Sequence, residues 1–134
     1  MAATTTETAL LVEDDPSLRK LVKGYLSLLD FEVVEVPDGR RAMAALKQAA
    51  FSLVVLDLML PESSGYDVLE FMKTEALSHT PVLVMSARTL PEDRAQAEEL
   101  GAKRYLIKPF SRAEFAQAVA SAVDKETGTL PGPL

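Results

Sequence analysis

Four short apolar runs in this chain of 134 residues each stop at a residue type that can do chemistry. Ala9-Leu10-Leu11-Val12 stops at Glu13-Asp14, and Leu53-Val54-Val55-Leu56 stops at Asp57. Val82-Leu83-Val84-Met85 stops at Ser86, and Tyr105-Leu106-Ile107 stops at Lys108-Pro109. If the runs are parallel strands of one sheet, all five polar groups meet at one edge. Three carboxylates within ~5 Å would repel by roughly 3 kcal/mol per charged pair at an effective dielectric near 20. Such a cluster persists when a cation or a proton offsets it. Oxygen donors without any cysteine favour a hard divalent ion, Mg²⁺ first, held by Glu13, Asp14 and Asp57. The backbone carbonyl of Met59, two residues beyond Asp57, would complete the metal shell. A carboxylate can also act as a nucleophile and form an aspartyl phosphate. Asp57 suits that role, with Mg²⁺, Lys108 and the Ser86 hydroxyl each facing one phosphoryl oxygen.

The neighbouring residues have plainer readings. Asp15 before Pro16 reads as a helix cap followed by the first helical turn. A cis Lys108–Pro109 bond is expected, since cis bonds are largely confined to X-Pro, and it would aim the ammonium inward. The single histidine, His79, sits in the polar segment Leu77-Ser78-His79-Thr80-Pro81 and reads as a surface loop residue. With no histidine near the strand ends to carry a phosphoryl group, the donor must be another molecule.

The elements that must position these groups alternate along the chain. Leu18, Leu21, Val22, Tyr25, Leu26 and Leu29 recur at helical spacing. So do Ala42, Ala45, Leu46 and Ala49, then Val68, Phe71 and Met72, then Phe115, Ala118, Val119, Ala122 and Val123. A weaker helix over about 91–100 carries only Ala95, Ala97 and Leu100 as apolar residues. Ser111 with Glu114 forms a capping box, and Gly101 is placed to end the weak helix. Strand patterns lie near 9–13, 32–36, 53–57, 82–86 and 104–108. Parallel strands covered on both faces read as unbroken apolar runs. The runs near 32–36 and 104–108 carry charges, which edges tolerate, so they belong at the rims. The expected fold is α/β, a doubly wound five-stranded parallel sheet of order 2-1-3-4-5 with five helices. The first and third strands are then neighbours where the strand order reverses, the place where ligands bind.

The length suits one domain, expected over 8–125, with a flexible N-terminus over 1–7 and a flexible tail or linker over 126–134. No apolar run approaches the ~20 residues of a membrane helix, and no signal peptide is visible. With no cysteine either, the expected location is cytoplasmic. Net charge is −6, and without a basic block nucleic-acid binding by this chain alone is not expected.

Taken together the motifs resemble the receiver domain of two-component response regulators, whose fold is flavodoxin-like or CheY-like. Leu10 to Pro16, Val55 to Pro61 with Gly65, Val84 to Ala87, and Gly101 to Phe110 carry the likeness. The resemblance implies that Asp57 takes a phosphoryl group from a phosphohistidine on a sensor histidine kinase or a phosphotransfer protein, in a Mg²⁺-dependent phosphorelay. Glu13 and Asp14 match the family's metal-binding acidic pair, and Ser86 and Lys108 match its phosphoryl-binding hydroxyl and lysine. Tyr105 matches the aromatic switch residue, which moves with Ser86 and alters the face of helix 4, strand 5 and helix 5 for an unknown downstream protein. Met59 and Arg88 match positions that tune the phosphoryl lifetime. Contacts that select the kinase are expected on the first helix, around Ser17, Leu18, Arg19, Lys20 and Val22.

Two departures stand out. Ser64 replaces an Asp common before Gly65, which should alter loop capping rather than chemistry. Lys103-Arg104 replace an acidic pair through which many DNA-binding members dimerise, so a phosphorylation-dependent homodimer stays open. The chain is expected to catalyse only its own phosphorylation and dephosphorylation. One alternative is a phosphorylation-independent interaction module (a pseudo-receiver), although such chains usually lack an acid or the lysine retained here. Another is a phosphatase acting on small substrates. Such enzymes commonly place an acid/base Asp two residues after the nucleophile, where this chain has Met59.

Overall fold

The computed structural model describes residues 7–124. Five strands alternate with five helices: β1 Glu7–Val12, α1 Pro16–Leu28, β2 Phe31–Val36, α2 Gly39–Gln48, β3 Leu53–Asp57, α3 Gly65–Thr74, β4 Val82–Ser86, α4 Pro91–Glu99, β5 Arg104–Ile107 and α5 Arg112–Val123. All strand pairs are parallel, and the order is β2-β1-β3-β4-β5, as the charge pattern predicts. β1 starts at Glu7, which pairs with Phe31, so the domain begins one residue earlier than expected. The rest of the expected N-terminal segment and the tail 126–134 lie outside the described residues.

Strand alternation divides the interior into two layers. Leu10, Val12, Val54, Leu56, Val82 and Val84 face α2, α3 and α4, meeting Ala42, Leu46, Val68, Leu69, Met72 and Ala97. Ala9, Leu11, Leu53, Val55, Leu83 and Met85 face α1 and α5, meeting Val22, Leu26, Phe115, Val119 and Ala122. β3 and β4 are buried along their whole length, whereas β2 is half-open and exposes Glu32 and Glu35 at the rim.

The caps follow local chemistry. Asp15 accepts from the Ser17 N–H and Pro16 opens α1. Ser64 and Asp67 form a reciprocal capping box on α3, as Ser111 and Glu114 do on α5. The Ser64 departure thus leaves a fully capped helix. Gly101 follows α4 with φ of 109°, a conformation that suits glycine. α4 itself buries only Asp93 and Ala97; Ala95 points to solvent.

Candidate functional site

Register brings the polar groups together. Val12 pairs with Leu56, so Glu13 follows alongside Asp57. Asp57 pairs with Met85 and Ser86 with Ile107, so Ser86 and Lys108 extend the same edge. The Lys108 N–H donates to the Ser86 carbonyl at 2.9 Å, and the Lys108–Pro109 bond is cis. Glu13, Asp14 and Asp57 each offer a carboxylate oxygen within 4.8 Å of the others. Glu13 and Asp57 are buried and Asp14 is open to solvent.

The Lys108 ammonium lies between the two buried acids. Nζ is 2.8 Å from Asp57 Oδ2 and 3.2 Å from Glu13 Oε1. The other oxygens meet backbone donors: Asp57 Oδ1 accepts from the Met59 N–H at 2.9 Å, and Glu13 Oε2 from the Asp15 N–H at 3.1 Å. Burial pushes the Glu13 carboxyl up from 4.5 to about 7; the Asp15 N–H opposes this, the Asp57 charge adds to it, and Lys108 opposes it. Burial pulls the Lys108 ammonium down, but the hydrogen bond and charge of Asp57, then Glu13, outweigh it and the net shift is upward. Three carboxyl groups thus converge on one ammonium among the described residues. Three hard oxygen donors with one member facing solvent suit a divalent cation of the Mg²⁺ type.

The loop after Asp57 is held close. The Gly65 N–H donates to the Leu58 carbonyl at 2.9 Å. A Cβ at Gly65 would lie 2.6 Å from the Asp57 carbonyl oxygen and 2.7 Å from Leu58 Cα. Only glycine lets α3 begin directly against the strand end.

Ser86 is buried, and its Oγ accepts from the Arg88 N–H at 3.0 Å. Tyr105 is buried and donates its hydroxyl to the Arg88 carbonyl at 3.0 Å. Arg88 therefore links Ser86 to Tyr105. Beyond it lies a group that the sequence reading missed. Asp93 accepts from the Tyr66 hydroxyl at 3.2 Å and pairs with Arg88 Nε at 3.1 Å. An acidic residue in the first turn of a helix is so ordinary that no periodicity could flag it.

The first helix needs one correction. Ser17 and Lys20 are exposed and Leu18 half-buried, but Val22 is fully buried against the sheet and cannot contact a partner. Its place in the apolar stripe of α1 determines this. Arg19 turns inward, donating to the Glu13 carbonyl at 2.9 Å and pairing with Glu35 at 3.5 Å. His79 is exposed, as expected.

Residues 9–120 match the family model described as the response regulator receiver domain. The transcriptional regulatory protein CiaR of Streptococcus pneumoniae is 37% identical over 117 residues, covering 87% of this chain and 51% of that protein. The uncharacterised transcriptional regulatory protein YcbL of Bacillus subtilis is 36% identical over 118 residues, covering 88% and 51%. This chain spans about half the length of these curated relatives. Among solved structures, the receiver domain of a NarL response regulator from Mycobacterium tuberculosis superposes with a TM-score of 0.84 at 29% identity, covering 92% of this chain and 100% of that one. The receiver domain of a Pseudomonas aeruginosa sensor histidine kinase, solved with magnesium coordinated in its active-site cleft, superposes with a TM-score of 0.80 at 28% identity, covering 89% and 98%. The chain therefore belongs to the response regulator receiver domain family.

Proposed function

We propose that this chain is a phosphoacceptor switch in a two-component relay, with Asp57 as the acceptor. The observation that carries the reading is the convergence of Asp57, Glu13, Asp14 and Lys108 at one strand edge, with carboxylate oxygens within 4.8 Å and the ammonium 2.8 Å from Asp57. Glu13, Asp14, Asp57 and the Met59 carbonyl would hold Mg²⁺. When bound, the ion supplies charge neutralisation for the acids and for a phosphoryl oxygen.

The chain's own groups do the rest. Asp57, its orientation fixed by the Met59 N–H and Lys108, presents a carboxylate oxygen to the phosphorus of a phosphohistidine. The P–N bond breaks, its electron pair returning to the imidazole, as a P–O bond forms to Asp57. Lys108 then turns its charge to the phosphoryl oxygens, and the Ser86 hydroxyl donates to another. Ser86 shifts away from the Arg88 N–H as it does so, and Tyr105 follows through the Arg88 carbonyl. That carries the change to the face formed by α4, β5 and α5. The phosphodonor is a sensor histidine kinase or a phosphotransfer protein. The downstream partner binds the altered face, and the fold catalyses no reaction but its own phosphorylation and dephosphorylation. Among the described residues no helix is long and apolar enough to cross a membrane. We place the reaction in the cytoplasm on the strength of membership in the receiver-domain family.

Acetyl phosphate with Mg²⁺ should add the mass of one phosphoryl group to the intact protein. The gain should vanish in Asp57→Asn and when Mg²⁺ is chelated. A gain of the same size in the Asp57→Asn variant rejects the reading. No gain at all in the wild type would leave an interaction module not governed by phosphorylation.

A further inference from the structure

α4 has the poorest apolar anchor in the domain. It buries only Asp93 and Ala97, and its N-cap Leu90 makes no side-chain hydrogen bond. A carboxylate thus does much of the work of seating this helix. Asp93 is 7% exposed, and its Oδ1 takes both the Tyr66 hydroxyl at 3.2 Å and Arg88 Nε at 3.1 Å. Its Oδ2 is buried with no hydrogen-bond partner. Tyr66 can only donate here, since burial, then the Asp93 hydrogen bond and charge, raise its phenol pKa further. Among the described residues, Arg88 is the single countercharge in contact with Asp93. Its Nη1 reaches across to Met59 Sδ at 3.3 Å, and the Met59 N–H is the donor on Asp57 Oδ1.

We propose that Arg88 is shared between two anions, held by Asp93 while Asp57 is unmodified and drawn to the phosphoryl group once Asp57 carries one, so that phosphorylation unseats α4 by removing its countercharge. This rests on the phosphoacceptor reading above. A thioether is a weak acceptor, so little holds Nη1 over Met59. A phosphoryl dianion offers a guanidinium stronger, bidentate contacts than one oxygen already shared with a phenol. Once Arg88 leaves, Asp93 keeps one neutral donor and a bare buried oxygen, and a buried charge without its partner is strongly unfavourable. With only Ala97 and the half-buried C-cap Leu100 as apolar anchors, α4 then opens. The coupling is reciprocal: the hold of Asp93 on Arg88 must weaken binding of a phosphoryl-like anion at Asp57. Asp93 is thus a positioning residue, acting through Arg88.

The test uses beryllofluoride with Mg²⁺ as the phosphoryl mimic on the full chain. Binding is followed by fluorine NMR, and exchange over Pro91–Glu99 by hydrogen–deuterium mass spectrometry. In the wild type, beryllofluoride should speed exchange of the α4 amides about fivefold or more, within the usual range of such couplings. Asp93→Asn should tighten beryllofluoride binding by about fivefold, and this gain should disappear when Arg88→Gln is already present. A merely structural role for Asp93 would not produce tightening that depends on Arg88. Arg88→Gln alone should show fast α4 exchange without ligand and no further rise with it. Unchanged affinity in Asp93→Asn, equal tightening with and without Arg88, or a full α4 response in Arg88→Gln each overturns the inference alone. Absence of any bound fluorine signal in the wild type overturns the phosphoacceptor reading and this inference with it.

Discussion

Lys108 holds two buried carboxylates that would otherwise face each other. Its side chain is 21% exposed and its ammonium touches both Glu13 and Asp57. Removing it leaves two buried acids without their cation, a change on the order of 3 kcal/mol. Lys108→Ala should therefore lower unfolding stability by about that amount in Mg²⁺-free buffer. Added Mg²⁺ should restore more stability to this variant than it adds to the wild type, as read by chemical denaturation. Glu13 gives the site a second, pH-dependent signature. Its carboxyl is raised in the folded protein from 4.5 to about 7, so folding favours its protonated form. The stability this contributes is complete below about pH 4.5 and is lost as pH rises through about 7. Between those limits the Mg²⁺-free wild type should lose stability relative to Glu13→Gln, which has no carboxyl to titrate. Denaturation curves of both proteins across that interval check it, and a flat difference would contradict the burial argument. Lys108, shifted upward, stays charged throughout this range and adds no slope.

At the scale of elements, the site depends on where strands stop and how tightly the next loop turns. The acidic pair and Asp57 meet because Val12 and Leu56 are register partners, which the apolar runs made legible. Gly65 sets how closely α3 approaches the end of β3. A Cβ there would press into backbone atoms of Asp57 and Leu58, which cannot swing aside as a flexible side chain would. Gly65→Ala should cost about 1–3 kcal/mol and also weaken Mg²⁺ binding, because the acceptor strand end must shift. Calorimetric Mg²⁺ titration alongside thermal unfolding tests both halves. Much of this element order could be read from residues alone: uncharged runs for the central strands, glutamates in β2 for the rim, and Asp15-Pro16 for the start of α1. Strand ends shifted by one or two residues, since Glu7 joins β1 by pairing with Phe31, a contact distant in sequence. Val22 differs, because its signal was local: it stands in the apolar stripe of α1 with Leu18 and Leu26, and that stripe faces the core rather than a partner. Asp93 and Tyr66 were not legible at all, because their contact joins α3 to α4 across 27 residues and uses residue types that are common on surfaces.

For the molecule as a whole, a two-layered core carries one polar edge, and the account depends on that edge being a phosphoryl acceptor. Family membership follows from the match over residues 9–120. The chemistry at Asp57 requires its own demonstration. The most direct is to treat the protein with acetyl phosphate and Mg²⁺, reduce the product with borohydride, and map the modified residue by peptide mass spectrometry. An aspartyl phosphate is reduced to homoserine, so the account predicts homoserine at position 57 alone, and none when Mg²⁺ is withheld. Homoserine at Asp14 or elsewhere, or an unmodified Asp57 in protein that has gained phosphoryl mass, would contradict it.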